Sequence, residues 1–254
     1  MEKTEGFMYI SVPYTPKDGE DINCLVVYSI EKDGTLKLIA NSAYDEKSKS
    51  MLFKADRMQQ YAIALKTAEF ADTTNHWAKD FISYLAARDI INGMDALNFA
   101  PDIGITREQF VKIIAYMAGF DESQYSGTEF SDVSADRWSA PAIKWAYENK
   151  IVNGMGDGLF APDAFITREQ ISVMIVRFAD AMEYVLPQTN KEITFADAQS
   201  IAAYAKESVT KLQRANIING REQNGQTVFD PSGNATRAEA AKILAVLMQS
   251  MLKY

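Results

Sequence analysis

The spacing of apolar residues divides the chain into two textures. Up to about residue 66, apolar residues come in short runs rich in β-branched and aromatic side chains, bounded by turn formers: "FMYISVPY" (Phe7–Tyr14), "NCLVVYSI" (Asn23–Ile30), "LKLIA" (Leu36–Ala40), "SMLFK" (Ser50–Lys54) and "QYAIAL" (Gln60–Leu65). These predict five short strands. Asp33-Gly34 between two of them predicts a type I′ hairpin. From Phe70 the period lengthens. Phe110, Ile113, Ile114, Met117 form one stripe, Ile171, Met174, Ile175, Phe178 a second, and Ala240, Ile243, Leu244, Leu247 a third. All three follow the i, i+3, i+4, i+7 rule of a half-buried helix.

Each stripe is preceded by nearly the same five residues: "ITREQ" at Ile105–Gln109, "ITREQ" at Ile166–Gln170 and "ATRAE" at Ala235–Glu239. Thr106/Gln109, Thr167/Gln170 and Thr236/Glu239 are capping boxes, with the Thr hydroxyl on the N3 amide and the Gln or Glu side chain on the N-cap amide. Capping leaves Arg107, Arg168 and Arg237 unexplained. They fall at N1, where the helix dipole disfavours a cation by roughly 0.3–1 kcal/mol. A structural ion pair with a neighbouring acid is the plain reading, and an anion-binding role is the sharper one.

The boxes belong to a longer unit that recurs every 60–69 residues. It opens with an aromatic and an acid: Phe70/Asp72, Phe130/Asp132 and Phe195/Asp197. A first helix follows, whose marker aromatic (Trp77, Trp138, Tyr204) lies sixteen residues before Gly93, Gly154 and Gly220 in "IING", "IVNG" and "IING". These glycines read as left-handed helix stops. Next come "FAP", "FAP" and "FDP", then the box. Three copies in order predict one supersecondary unit used three times. The domain boundaries expected are 1–66 for a β-rich module, either whole or the end of a larger domain, and 67–254 for the repeats (about 68–120, 128–184 and 193–250).

With 254 residues, 47% apolar and 24% charged, the chain reads as an ordinary folded protein. No apolar run is long enough for a membrane span. A net charge of −8 argues against nucleic acid as a partner, so an anionic ligand must be met by local cations. One cysteine and one histidine leave no disulfide framework and no His- or Cys-rich metal site. "MEKTEGFMYI" carries no signal-peptide pattern.

Taken together, Phe-x-Asp, the helix-one Trp, "I(I/V)NG", "F-x-P" and "ITRE/TRAE" resemble the S-layer homology (SLH) domain, as three tandem motifs over roughly residues 70–250. The resemblance implies an α+β chain: a mainly α triplet in a pseudo-threefold helical bundle after a small N-terminal antiparallel β module. It implies a secreted, cell-wall location. It also implies non-covalent anchoring to the secondary cell-wall polysaccharide through a pyruvylated terminal amino sugar, without a cofactor or metal. The arginines and the post-helix glycines would line grooves between motifs, the arginine fork meeting the ketal carboxylate beside free amides of the helix N-terminus.

Candidate ligand-binding residues are therefore Arg107, Arg168 and Arg237; Gly93 with Met94, Gly154 with Met155, and Gly220; Trp77, Trp138 and Tyr204; and Asp72, Asp132 and Asp197. The aromatics also read as core residues, and the acids as caps or loop braces. Copy three departs most, with Tyr204 for Trp and "GREQNGQTVF" (Gly220–Phe229) three residues longer than its counterparts. Its groove, with Arg237, is expected to be the weakest. Two other classes remain open: a glycosidase acting on wall polymer, which needs a carboxylate pair, and a helical-repeat scaffold for a protein partner. Residues 1–66 are expected to be dispensable for binding.

Overall fold

The β texture of the first quarter folds into two small antiparallel sheets. In the computed structural model, which describes residues 7–253, strands β1 (Met8–Pro13), β5 (Ser50–Ala55) and β4 (Ser42–Asp45) form one sheet in the order β1-β5-β4. Strands β3 (Leu36–Ile39), β2 (Leu25–Ile30) and β6 (Gln60–Leu65) form the other, in the order β3-β2-β6. The opening residues "MEKTEG" lie outside the described part. Leu25 and Val27 from one sheet meet Met51, Phe53 and Ala55 from the other in a shared core. The five expected strands are present, and "SAYD" adds a sixth. The Asp33-Gly34 hairpin differs in type: Gly34 alone has positive φ (86°), whereas type I′ needs two such residues. The Asp33 carboxylate accepts the Thr35 amide at 2.9 Å instead.

The chain forms two compact units: Met1–Pro101 with Leu244–Tyr254, and Asp102–Ile243. In the first, helix α1 (Lys79–Ala87) ends at Arg88, a buried arginine whose acceptors are all backbone carbonyls. Its Nε donates to Ser42 O at 2.6 Å, Nη2 to Leu25 O at 2.7 Å, and Nη1 to Asn23 O and Tyr84 O at 2.8 Å. The guanidinium lies 3.8 Å from the Tyr84 ring centroid. Burial lowers its pKa from the ordinary arginine value.

The second unit holds α2 (Arg107–Ala118), α3 (Ala140–Glu148), α4 (Arg168–Ala181), α5 (Lys206–Arg214), a hairpin of β7 (Arg221–Gln223) and β8 (Gln226–Val228), and the start of α6 (Arg237–Met251). Helix α2 packs on α3 and α4 on α5, so each pair straddles a repeat boundary. The capping boxes at Thr106 and Thr167 are complete. At Thr236 both arms also close, at 3.1 and 3.2 Å. The apolar stripes are buried, except that Ile113 keeps partial exposure.

The three box segments also join one another. The Ile105 N–H donates to Ala235 O, the Ala235 N–H to Ile166 O, and the Ile166 N–H to Ile105 O, each at 3.0 Å. Three donors and three acceptors thus close a ring at the centre of this unit.

Two expectations about the repeat change. Gly93, Gly154 and Gly220 do not stop the first helix. It stops earlier, at Asp89, Lys150 and Asn216, which have φ of 56–60°. Each begins a Schellman closure: the Ile90, Ile151 and Ile217 amides return to Leu85, Ala146 and Leu212 carbonyls at 2.8–3.1 Å. The glycines serve close approach. A Cβ on Gly154 would lie 2.7 Å from the Phe130 ring and 2.6 Å from Leu159 O, and one on Gly220 would lie 2.7 Å from Phe195. The aromatic that opens each repeat thus packs where a side chain would stand.

The acids of Phe-x-Asp brace the "F-x-P" loop. Asp132 accepts the Phe160 and Ala161 amides at 2.8 and 2.7 Å; Asp72 does the same for Phe99 and Ala100, and Asp197 for Phe229 and Asp230. Ala100, Ala161 and Asp230 all have φ near 58°, so the carboxylate holds a residue in the left-handed region. Burial alone raises the Asp132 pKa, but these amides, with Arg107 nearby, hold it below the usual carboxylate value.

Candidate functional site

The first-turn amides are not free. Arg107 N–H donates to Ala164 O at 2.9 Å and Glu108 N–H to Pro162 O at 3.2 Å. In the next copy Arg168 N–H donates to Gly233 O and Glu169 N–H to Pro231 O, at 3.0 and 3.1 Å, and Arg237 N–H reaches Ile103 O at 2.9 Å. The helix N-termini are spent on joining repeats, which corrects the expectation that they offer donors to an anion. Whatever positive charge a ligand meets must come from side chains.

Arg107 is 2% exposed, yet it lines an open cavity. Its Nε donates to Phe160 O at 2.9 Å, its guanidinium sits 4.8 Å from the Phe160 ring centroid, and its Nη1 meets Gln170 Oε1 at 3.2 Å. Every one of these partners is neutral. Burial lowers its pKa from the ordinary value, although Tyr204 and Asp132 oppose this, and an arginine remains charged regardless.

The cavity encloses about 330 Å³ between Arg107, the Ile151–Met155 segment, one face of α4 and Tyr204. Gly154, Met155 and Tyr204 from the candidate set therefore meet Arg107, and they come from three different repeats. Tyr204 belongs with Arg107 and not with the arginine of its own copy. It is 59% exposed, and Trp77 and Trp138 are 56% and 50% exposed, so the core reading of all three is overturned. They stand just before the first helix of each copy, not within it. Tyr204 OH donates to Glu169 Oε1 at 2.9 Å, and burial together with that bond pushes its pKa up to about 12. Glu169 is thereby an anchor for the pocket's aromatic, and its backbone reach is secured by the Ala202 amide at 3.1 Å.

Arg168 occupies a comparable position with different neighbours. Nε donates to Phe229 O at 2.7 Å, but Nη1 forms an ion pair with Glu239 at 3.1 Å. Arg221, next to Gly220, binds the same carboxylate through Nε and Nη2 at 2.7–2.9 Å and Asp230 through Nη1 at 2.7 Å. The ion-pair reading holds for Arg168 and not for Arg107. Arg237 is buried. In the first unit, Gly93 is tightly enclosed and Met94 is exposed.

Sequence reasoning missed Gln170, Met174, Arg177 and the Glu239–Arg221 pair. The signal for the first was present: N3 is Gln in two boxes and Glu in the third. The longer third loop also had one. Asn224-Gly225, both at positive φ (51° and 74°), is the turn of the β7–β8 hairpin.

These features define a class: a tandem-repeat module in which a buried arginine lines an open pocket assembled from three copies. The particular family follows from comparison. The S-layer homology domain family matches at residues 69–111, 129–171 and 194–241, and the chain belongs to that family. Among similar proteins are an amylopullulanase of Thermoanaerobacterium thermosulfurigenes, 36% identical over 81% of this chain and 11% of its own length, and an exoglucanase of Acetivibrio thermocellus, 36% identical over 72% and 16%. A cellulosome-anchoring protein of the latter organism is 27% identical over 58% of this chain and 32% of its own. The chain thus spans between about a tenth and a third of the length of these relatives.

Proposed function

We propose that this chain is a cell-surface anchoring module. Its three repeats form a pseudo-threefold bundle, and its Arg107 pocket holds the secondary cell-wall polysaccharide by the carboxylate of a pyruvylated terminal amino sugar. The observation that carries the reading is Arg107 itself: a buried, charged fork facing an open cavity with neutral partners only. A ligand carboxylate adds a directly bonded counter-charge, worth roughly 1.5–3 kcal/mol for a charged hydrogen bond. Tyr204 offers an apolar ring and a hydroxyl at the same rim, as sugar recognition requires. The hydrogen-bond ring of the three boxes supports the bundle. Family membership, and a relative named for anchoring, support the surface location and the absence of catalysis. A glycosidase needs two carboxylates flanking the scissile bond, and the residues lining this pocket include none.

The test is calorimetric titration with purified wall polymer before and after its ketals are removed. Loss of the ketal carboxylate is expected to weaken binding about ten- to a hundredfold. Equal affinity for both polymers rejects the reading.

A further inference from the structure

The Arg107 pocket contains a second cation that the anchoring reading does not use. On α4, Gln170, Met174 and Arg177 fall at i, i+4 and i+7, on one face, and all three line the cavity. Arg177 is partly exposed, and among the described residues it has no hydrogen bond or ion pair. No Asp or Glu lines the cavity. Two arginines therefore line about 330 Å³ of shared space whose lining includes no carboxylate, Asp132 acting on Arg107 only from behind the wall. That volume is at the lower end for small-ligand sites, and suits one substituted sugar better than a length of polymer.

The repeat itself does not call for this arginine. The corresponding positions, nine residues after the box arginine, are Tyr116 in copy one and Val246 in copy three. Nor does the fold, since Arg177 holds no hydrogen-bond or ion-pair partner among the described residues. The contrast with Arg168 sharpens the point: there the second arginine, Arg221, arrives with Glu239 and Asp230 as internal counter-charges.

We propose that the Arg107 pocket reads two anionic groups on one ligand, the inner held by buried Arg107 and the outer by Arg177 at the rim. The inference rests on the anchoring reading and narrows its ligand to a pyruvylated amino sugar bearing a second anionic oxygen group, phosphate or carboxylate, on the same or the adjoining residue. Arg177 is then a specificity residue: it discriminates doubly from singly charged termini.

The test uses the intact chain and three probes: the methyl glycoside of a pyruvate-ketal amino sugar, the same compound with a phosphate monoester, and the same compound linked to a uronic acid. Calorimetry at fixed ionic strength is expected to show at least one dianionic probe binding about five- to tenfold tighter than the monoanionic one, the strength of one charged contact at a half-exposed site. Arg177→Gln should abolish that gain and leave the monoanionic affinity within about twofold, with an unchanged melting temperature because Arg177 has no partner to lose. Arg177→Lys should keep part of the gain, as a charge without the fork. The arm that retains the gain identifies phosphate or carboxylate. If the monoanionic probe binds and neither second charge adds affinity, or if Arg177→Gln weakens all probes alike, this inference falls alone. If no probe binds the intact chain, the anchoring reading falls with it.

Discussion

Arg107 and Arg168 begin in identical "ITREQ" segments and end in opposite electrostatic company, because each reaches into the following copy. Arg107 finds Gln170 there, and Arg168 finds Glu239. A single atom type at N3 thus separates an open cation from a neutralised one. Gln170→Glu is the direct check. Glutamate serves the capping box equally well, as Thr236/Glu239 shows, and places a carboxylate beside Arg107 Nη1. We expect melting temperature to hold or rise slightly, and affinity for a ketal-bearing glycan to fall about tenfold or more. Unchanged affinity by calorimetry counts against Arg107 as the ligand's partner. The arginines were legible in the sequence because they break a rule of helix electrostatics. Their partners were not, since the donor, the loop, the N3 acceptor and the aromatic of one pocket come from different copies. Keeping each copy's aromatic with its own arginine pairs Tyr204 with Arg237, whereas tertiary assembly places it in the cavity of Arg107.

At the scale of elements, the helix starts were the most legible part and the helix ends the least. A capping box is local and spelled by side chains, so Thr106 and Thr167 cap as expected. The first helix of each copy ends on a left-handed residue that carries a side chain, at Asp89, Lys150 and Asn216, which hides the stop from a search for glycine. This makes a prediction. Lys150 is exposed, sits at φ 60° and forms no ion pair among the described residues. Lys150→Gly relieves the strain of the left-handed conformation, and should stabilise the chain by about 0.5–1 kcal/mol, read as a rise of a few degrees in thermal unfolding. Gly154→Ala should act in the opposite sense. Its φ is 80°, and the new methyl would meet Phe130 and Leu159 O below 3.0 Å. A loss of about 2 kcal/mol or more is expected, together with weaker binding because Met155 and the pocket wall follow directly. A neutral Gly154→Ala, or a destabilising Lys150→Gly, contradicts this account of the loop. The β7–β8 hairpin was legible in Asn224-Gly225 and simply went unread, whereas β4, with only "SAYD" to announce it, offered little pattern.

Across the molecule, the boundary drawn at residue 66 meets Arg88. Three of its four carbonyl acceptors, Asn23, Leu25 and Ser42, belong to the β module. Cutting the chain to 68–254 removes three of the four carbonyls that hold the Arg88 guanidinium together with the strands that cover it, and hydrogen bonds to a charged group contribute about 1.5–3 kcal/mol each. We expect that fragment to melt well below the intact chain, and Arg88→Ala in the intact chain to lose a large part of the same stability. The residues lining the Arg107 pocket all fall between 107 and 204, so affinity measured on the folded fraction should stay near that of the whole. A fragment that melts like the full chain removes Arg88 as the link. The expected division, a β module that holds the first helix in place and takes no part in recognition, is one that residue patterns alone could not draw, because Arg88 looks like any helix-end cation. Ile105, Ile166 and Ala235 have the broadest consequence. An open array of repeats lengthens or shortens by whole units, since every end presents the face its neighbour needs. Here each segment gives one amide and takes one, and the circuit closes after three steps. A fourth copy would find every donor and acceptor occupied, and deleting one would strand an amide and a carbonyl in the interior. In this chain the circuit is complete at three: the pockets can differ from copy to copy, while the three box segments stay tied by the hydrogen bonds they share.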